Sequence, residues 1–123
     1  MKLVTKRLLI REFEFSDDLD LFEMCSDPYT AYDAGWYPHT NIHITKGVLL
    51  NYTSTYETFA IVLQETNKVI GTISLYTANI RKTLNCRELG FCLNKAYRNR
   101  GYMTEAVGAM LYYGFKELNL DMI

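Results

Sequence analysis

The apolar residues of this chain change their spacing several times, and each change marks a boundary between elements. In "KLVTKRLLIREF" (residues 2–13) apolar and polar residues interleave. Successive side chains of a strand face opposite ways. The run therefore reads as a first strand, with Leu8, Ile10 and Glu12 on one face and Leu9, Arg11 and Phe13 on the other. At "SDD" (Ser16 to Asp18) short oxygen-bearing side chains offer acceptors to the free amides of a helix start. Leu19, Phe22 and Met24 follow with helical spacing. "SDPYTAYDAGWYPHT" is punctuated by Pro28, Gly35 and Pro38 and reads as loop. A second helix is expected from Ile44 to Tyr56, although its Thr and Asn residues weaken it.

The β signal is clearest in the middle of the chain. "TFAIVLQ" (Thr58 to Gln64) and "VIGTISLY" (Val69 to Tyr76) flank the short polar segment "ETNK", which predicts an antiparallel hairpin. "CRELGFCL" (Cys86 to Leu93) alternates, with Leu89, Phe91 and Leu93 on one face and Glu88, Gly90 and Cys92 on the other. After Gly101 the period becomes helical: Met103, Val107, Met110, Gly114 and Leu118 form one stripe, widened by Ala106, Ala109 and Tyr113. Gly108 and Gly114 each cost about 1 kcal/mol relative to Ala in a helix interior, and close packing against a sheet is one reason to tolerate them. "LNLDMI" reads as a helix end followed by the first residues of another strand. The order β-α-α-β-β-β-α, with a strand just begun, places the chain in the mixed α+β class as a single domain spanning residues 1–123.

Composition narrows the picture. A chain of 123 residues with 49% apolar residues can bury a core, and 22% charged residues with a net charge of -1 leave no basic surplus for a general nucleic-acid binder. No apolar stretch approaches the ~20 residues of a membrane helix, and the N-terminus lacks the apolar block of a signal peptide. A soluble cytoplasmic protein is expected, without nucleic-acid or membrane partners. Cys25, Cys86 and Cys92 are odd in number and form no Cys-x-x-Cys pair, so reduced, buried thiols are expected. His39 and His43 are spaced four apart, but Pro38 and the lack of a nearby carboxylate ligand favour a loop. No metal site is expected.

The candidate chemistry lies in "YRNRGYMTEA", from Tyr97 to Ala106. A basic, glycine-bearing turn here opens directly onto a helix. A helix N-terminus presents unpaired amides and the positive end of the helix dipole, which suits phosphate. Gly101 lets the backbone approach a ligand, and Arg98 and Arg100 add charge. A turn of the same shape that holds no ligand is the alternative on residues alone.

This stretch resembles the acetyl-coenzyme A signature of the GNAT N-acetyltransferases, Arg/Gln-x-x-Gly-x-Gly/Ala. It reads Arg98-x-x-Gly101-x-Met103, with Met103 in place of the small residue. "TKRLLIREFEFSDD" and "ELGFCLNKAYRNRGYMTEAV" resemble the opening strand and the central strand and helix of the RimJ/RimL-type branch, which acetylates protein N-termini and other small amines. The resemblance implies a GNAT-like acyl-CoA N-acyltransferase fold: a mostly antiparallel central sheet flanked by helices, here lacking the C-terminal strands. Family members run longer, and this chain ends about where their fifth strand begins. The acid that protonates the departing thiolate, often a tyrosine, lies beyond that point. An uncovered strand edge is expected to draw the chain into a homo-oligomer.

The resemblance also implies roles. Acetyl-CoA would be the co-substrate and an amine the acceptor. Amides around Arg98, Asn99, Arg100, Gly101, Tyr102, Met103 and Thr104 would hold the pyrophosphate, with Arg98, Arg100 and Lys95 assisting. The backbone of Phe91, Cys92 and Leu93 would pair with the pantetheine arm. Glu88 is the candidate base, against a plain strand glutamate on a solvated face. Ser74 and Tyr76 are candidates for the acceptor site. Trp36, with Tyr32 and Tyr37, either shapes a pocket there or caps the core. Direct transfer needs no nucleophile, and Cys92 has no evident His partner. A non-catalytic acetyl-CoA-binding or interaction module is the second functional reading. An unrelated small α+β binding domain is the third.

Overall fold

The computed structural model describes residues 1–78 and 84–123. Five strands, β1 (Lys2–Val4), β2 (Leu8–Glu12), β3 (Thr58–Leu63), β4 (Lys68–Thr77) and β5 (Arg87–Leu93), form one antiparallel sheet in the order β1-β2-β3-β4-β5. Helices α1 (Asp18–Ser26), α2 (Pro28–Asp33) and α3 (Ile42–Thr55) precede the central hairpin, and α4 (Tyr102–Tyr112) follows β5.

The sheet is covered on both faces. Leu8, Ile10, Ile61 and Leu75 meet Tyr102, Ala106 and Met110 of α4 on one side. Ala60, Val62, Val69 and Cys92 meet Leu21, Met24 and Cys25 of α1 and Leu49 of α3 on the other. The alternation in β2 and β5 thus sorts as the sequence predicts. In β4 it breaks. Ile61 pairs with Gly71 but Val62 pairs with Val69, so Ile70 is an extra residue that bulges the strand. Ile70 and Ile73 consequently share the α4 side of the core.

Three expectations need correction. The first β run is two strands, because the Thr5 amide donates to the Leu8 carbonyl (2.9 Å) and the Thr5 hydroxyl accepts from the Leu8 amide (3.0 Å), reversing the chain. The segment read as loop contains α2, capped by Asp27, whose carboxylate accepts from the Thr30 amide at 3.0 Å and the Thr30 hydroxyl at 2.6 Å. The pair Asp27-Pro28 is the helix-start signal that the nearby Gly and Pro obscured. Finally, α3 begins two residues early because Asn41 caps it, accepting from His43 and Ile44.

Of the two helix glycines, only Gly114 is explained by close packing. A Cβ there would lie 2.6 Å from Ile123 Cδ1, whereas nothing lies within 4 Å of the corresponding point on Gly108. Beyond α4, Tyr113–Glu117 make one π turn. The chain then returns to β5: the Asp121 amide donates to the Asn85 carbonyl, the Arg87 amide donates to the Met122 carbonyl, and Cys86 and Met122 form a parallel bridge. The expected start of a further strand is this single bridge.

Those bonds also fix which way β5 presents its backbone. Arg87 donates outward, to Met122, while Asn94 donates inward, to Ile70 of β4. Alternate residues share a direction. Leu89, Phe91 and Leu93 therefore turn their peptide groups to the outer edge, away from β4.

Candidate functional site

That outer edge opens into a cleft of about 460 Å³, lined by Phe91, Cys92 and Leu93 of β5, Arg98, Asn99 and Gly101 of the connecting turn, Tyr102, Met103 and Thr104 of α4, and Thr30, Asp33 and Ala34 at the end of α2. Nine of the eleven residues that the resemblance assigns to a cofactor meet here. Arg100 and Lys95 do not line the cleft.

The turn has an unusual backbone. Asn99 sits at φ 64 and Gly101 at φ 81, both left-handed. Asn and Gly are the residues that tolerate this region. Gly101 is the N-cap of α4, and the first intrahelical bond runs from the Glu105 amide to its carbonyl at 3.1 Å. Among the described residues, the amides of residues 99–104 have no protein acceptor. Alternating left-handed residues followed by a helix start make a concave set of donors with positive partial charge.

The side chains around this turn serve the scaffold. The Arg98 guanidinium donates to the Leu93 carbonyl (3.2 Å), to Asp33 (3.2 Å) and to the Thr30 hydroxyl (3.4 Å). It thereby pins α2 against the end of β5 and builds one wall of the cleft. Lys95 stands 5.1 Å from the Tyr29 ring and lines a separate groove with Glu23, Asp27 and Lys68. Behind the turn, Arg7 donates to the Arg100 carbonyl at 2.9 Å and to Glu105 at 2.8 Å, and its guanidinium lies 4.4 Å from the centre of the Tyr102 ring. Burial works against the charge on Glu105, but hydrogen bonds from the Thr5 hydroxyl, the Arg7 amide and the Arg7 side chain outweigh it and hold the carboxyl below its ordinary range.

The remaining candidates stand apart from the cleft lining. Glu88 is exposed and pairs across the sheet with Tyr76. It shares its face with Gly90 and Cys92, and it precedes Phe91 by three residues, about 10 Å along a strand. Ser74 is closed to solvent and its hydroxyl is engaged with Thr58 at 2.8 Å, so it supports the sheet and presents no open surface. Tyr76 is 43% exposed and its ring lies over Gly90, where an added Cβ would meet it at 2.9 Å. Trp36 is half-buried and packs against the core cluster that α1 and α3 share, while Tyr32 and Tyr37 are exposed. Burial pushes the Cys92 thiol up, and burial together with Cys92 pushes Cys25 up to about 12, so neither is a poised thiolate. His39 is buried with Nδ1 at 2.8 Å from the Thr45 hydroxyl, whereas His43 is exposed on α3.

Sequence reasoning missed Thr30, Asp33 and Ala34 because α2 was read as loop. It also missed Arg7 and Glu105, whose only signal is a contact spanning 98 positions of the chain.

Comparison with known proteins identifies relatives of the chain. Residues 7–123 match the family model described as an acetyltransferase (GNAT) domain. The uncharacterized N-acetyltransferase YnaD of Bacillus subtilis is 37% identical over 123 residues, covering 100% of this chain and 71% of that protein. The uncharacterized N-acetyltransferase p20 of Bacillus licheniformis is 31% identical, over 98% of this chain and 70% of its own length. Among solved structures, a GNAT-family acetyltransferase from Bacillus anthracis superimposes with a TM-score of 0.83 at 30% identity, over 98% of this chain and 69% of that one. A ribosomal-protein alanine acetyltransferase from Vibrio fischeri shares the fold at 23% identity, with a TM-score of 0.73 over 98% of this chain and 70% of its own. No helix among the described residues is long and apolar enough to cross a membrane.

Proposed function

The chain belongs to the GNAT acetyltransferase family, and from that premise we propose that it moves an acetyl group from acetyl-CoA to a primary amine, either a protein N-terminus or a small molecule. The observation that carries this reading is the run of six amides, residues 99–104, without protein partners at the mouth of a cleft floored by an open strand edge. A pyrophosphate needs several donors at once, and a helix N-terminus preceded by left-handed residues supplies them. An extended pantetheine arm carries amides of its own, and the outward peptide groups of Phe91 with the Leu93 amide match them as a neighbouring strand would.

Acetyl-CoA supplies the thioester carbonyl as electrophile. An acceptor amine attacks only when neutral, so its proton must leave first. Glu88 is the carboxylate proposed to take it, through water, since it is exposed on β5 three residues before the cleft-lining Phe91. As the tetrahedral centre forms, the carbonyl oxygen gains charge, and an outward amide of β5 is the donor proposed to stabilise it; collapse of that centre breaks the C–S bond, and coenzyme A leaves as a thiolate that takes up a proton. Cys92 takes no covalent part, because its buried thiol stays protonated. Tyr76 and Trp36 are the proposed aromatic surfaces for the acceptor.

Calorimetric titration with acetyl-CoA, followed by mass spectrometry of a peptide with a free N-terminus, tests the reading. Saturable binding and a product heavier by one acetyl group support it. Binding with no transfer to any amine favours the non-catalytic module instead, and absence of binding overturns both.

A further inference from the structure

Arg7 belongs to the turn between β1 and β2 and lies outside the cleft, yet it touches three residues of the cradle. Its Nη1 donates to the Arg100 carbonyl at 2.9 Å. Its guanidinium covers the Tyr102 ring at 4.4 Å. Its Nη2 lies 3.3 Å from the point where a Cβ on Gly101 would stand. Its own orientation is fixed in turn by Glu105 of α4, which accepts from Arg7 Nε at 2.8 Å and from the Arg7 amide at 2.9 Å, and by Thr5 on the same carboxylate.

The Arg100 carbonyl and the Gly101 amide belong to one peptide unit. In a trans peptide the C=O and N–H point in opposite directions. With the carbonyl held by Arg7, the Gly101 N–H is directed away from Arg7. Gly101 lines the cleft and Arg7 does not. A cation on the carbonyl also polarises the peptide and strengthens its N–H as a donor.

We infer that Arg7 is a positioning residue for acyl-donor binding, aiming and polarising the Gly101 amide by gripping the carbonyl of the same peptide unit from behind the cradle. This rests on the acyl-donor reading above. Arg7 does not contact the donor. It acts on the part of the donor that carries the pyrophosphate and leaves the pantetheine edge of β5 alone.

The test compares wild type, Arg7→Gln and Arg7→Lys with two probes: coenzyme A by calorimetry, and acetyl-pantetheine, which has no pyrophosphate, by NMR titration. Arg7→Gln is expected to weaken coenzyme A roughly tenfold, the scale of one charge-assisted bond, while acetyl-pantetheine binds as to wild type. Arg7→Lys keeps the charge but loses the guanidinium fork, and is expected between the two. Wild-type binding of coenzyme A with unchanged affinity in both variants overturns the inference and spares the acyl-donor reading. Equal weakening of both probes also overturns it, since that marks a general loss of structure. If Arg7→Gln does not fold, Arg7→Lys decides by the same comparison. Failure of the wild type to bind coenzyme A overturns the acyl-donor reading, and this inference with it.

Discussion

Replacing Gly101 with Ala tests the cradle at its most constrained point. Gly101 holds φ 81, and an added Cβ meets only Arg7 Nη2, at 3.3 Å. That contact is with the far end of a flexible side chain, which can give by a few tenths of an ångström. The dominant cost is therefore the backbone: an L-residue in the left-handed region costs about 1–2 kcal/mol. Ala also restricts the unfolded chain, which returns about 0.4–1 kcal/mol. The net loss is about 1 kcal/mol. With an unfolding entropy of ~2.1 cal/mol/K per residue, a chain of this length loses about 4 °C in Tm. The strain has two outlets. If the turn keeps its shape, Tm falls by that amount and affinity for acetyl-CoA is retained. If the turn flips to relieve φ, the unliganded protein loses less, and the deficit reappears as several-fold weaker binding. In both cases the ligand-saturated variant is about 1 kcal/mol less stable than the ligand-saturated wild type. Thermal melts with and without saturating acetyl-CoA, with calorimetry for affinity, measure all three terms. A variant equal to wild type in stability and in affinity would refute the claim that the cradle needs a left-handed residue here.

Three further outcomes follow from the structure. Arg98→Ala removes three hydrogen bonds that join β5 to α2; the loss should be about 1–2 kcal/mol in urea melts, since the ion pair with Asp33 is exposed and adds little, and hydrogen exchange should rise in α2. His39 is held neutral by burial, with its pKa lowered from 6.5. The unfolded state then binds the proton more readily, so the stability His39 contributes is present above pH 6.5 and is lost as pH falls through the folded value; Tm measured against pH should show this slope, and His39→Gln should remove it. Cys25 and Cys92 are buried with raised thiol pKa values, so both should resist iodoacetamide at neutral pH until urea unfolds the chain, and rapid labelling of either in the folded protein would contradict the packing.

What the sequence revealed depended on whether the relevant physics is local. The alternation in β5 and the helical stripe after Gly101 are properties of neighbouring residues, and both sides of the sheet formed as that pattern predicts. The turn at Thr5 is made by a hydroxyl and has no Gly or Asn to announce it. The bulge at Ile70 is invisible in a run of apolar residues, because either register buries something. α2 did carry a local signal, Asp27-Pro28, but six residues give too few periods for a stripe to emerge. The cleft wall from Thr30 to Ala34 was lost with it. The link between Arg7 and Glu105 has no local expression at all.

The same division bears on the two arginines of "YRNRG". Their charges are the most conspicuous feature of the motif, yet Arg98 is committed to Leu93, Asp33 and Thr30, and Arg100 contributes its carbonyl to Arg7. The backbone amides of residues 99–104 have no protein acceptor among the described residues. A backbone donor does not depend on the side chain it carries, provided that side chain is packed elsewhere. This accounts for Met103, which departs from the small residue of the GNAT signature. Met103 lines the cleft but is partly buried and packs against the α4 side of the core, while its amide stays in the first turn of α4. In this chain the signature is better understood as a set of backbone directions than as a set of side chains. The left-handed Asn99 and Gly101 establish those directions, and Arg98 in front and Arg7 behind hold them.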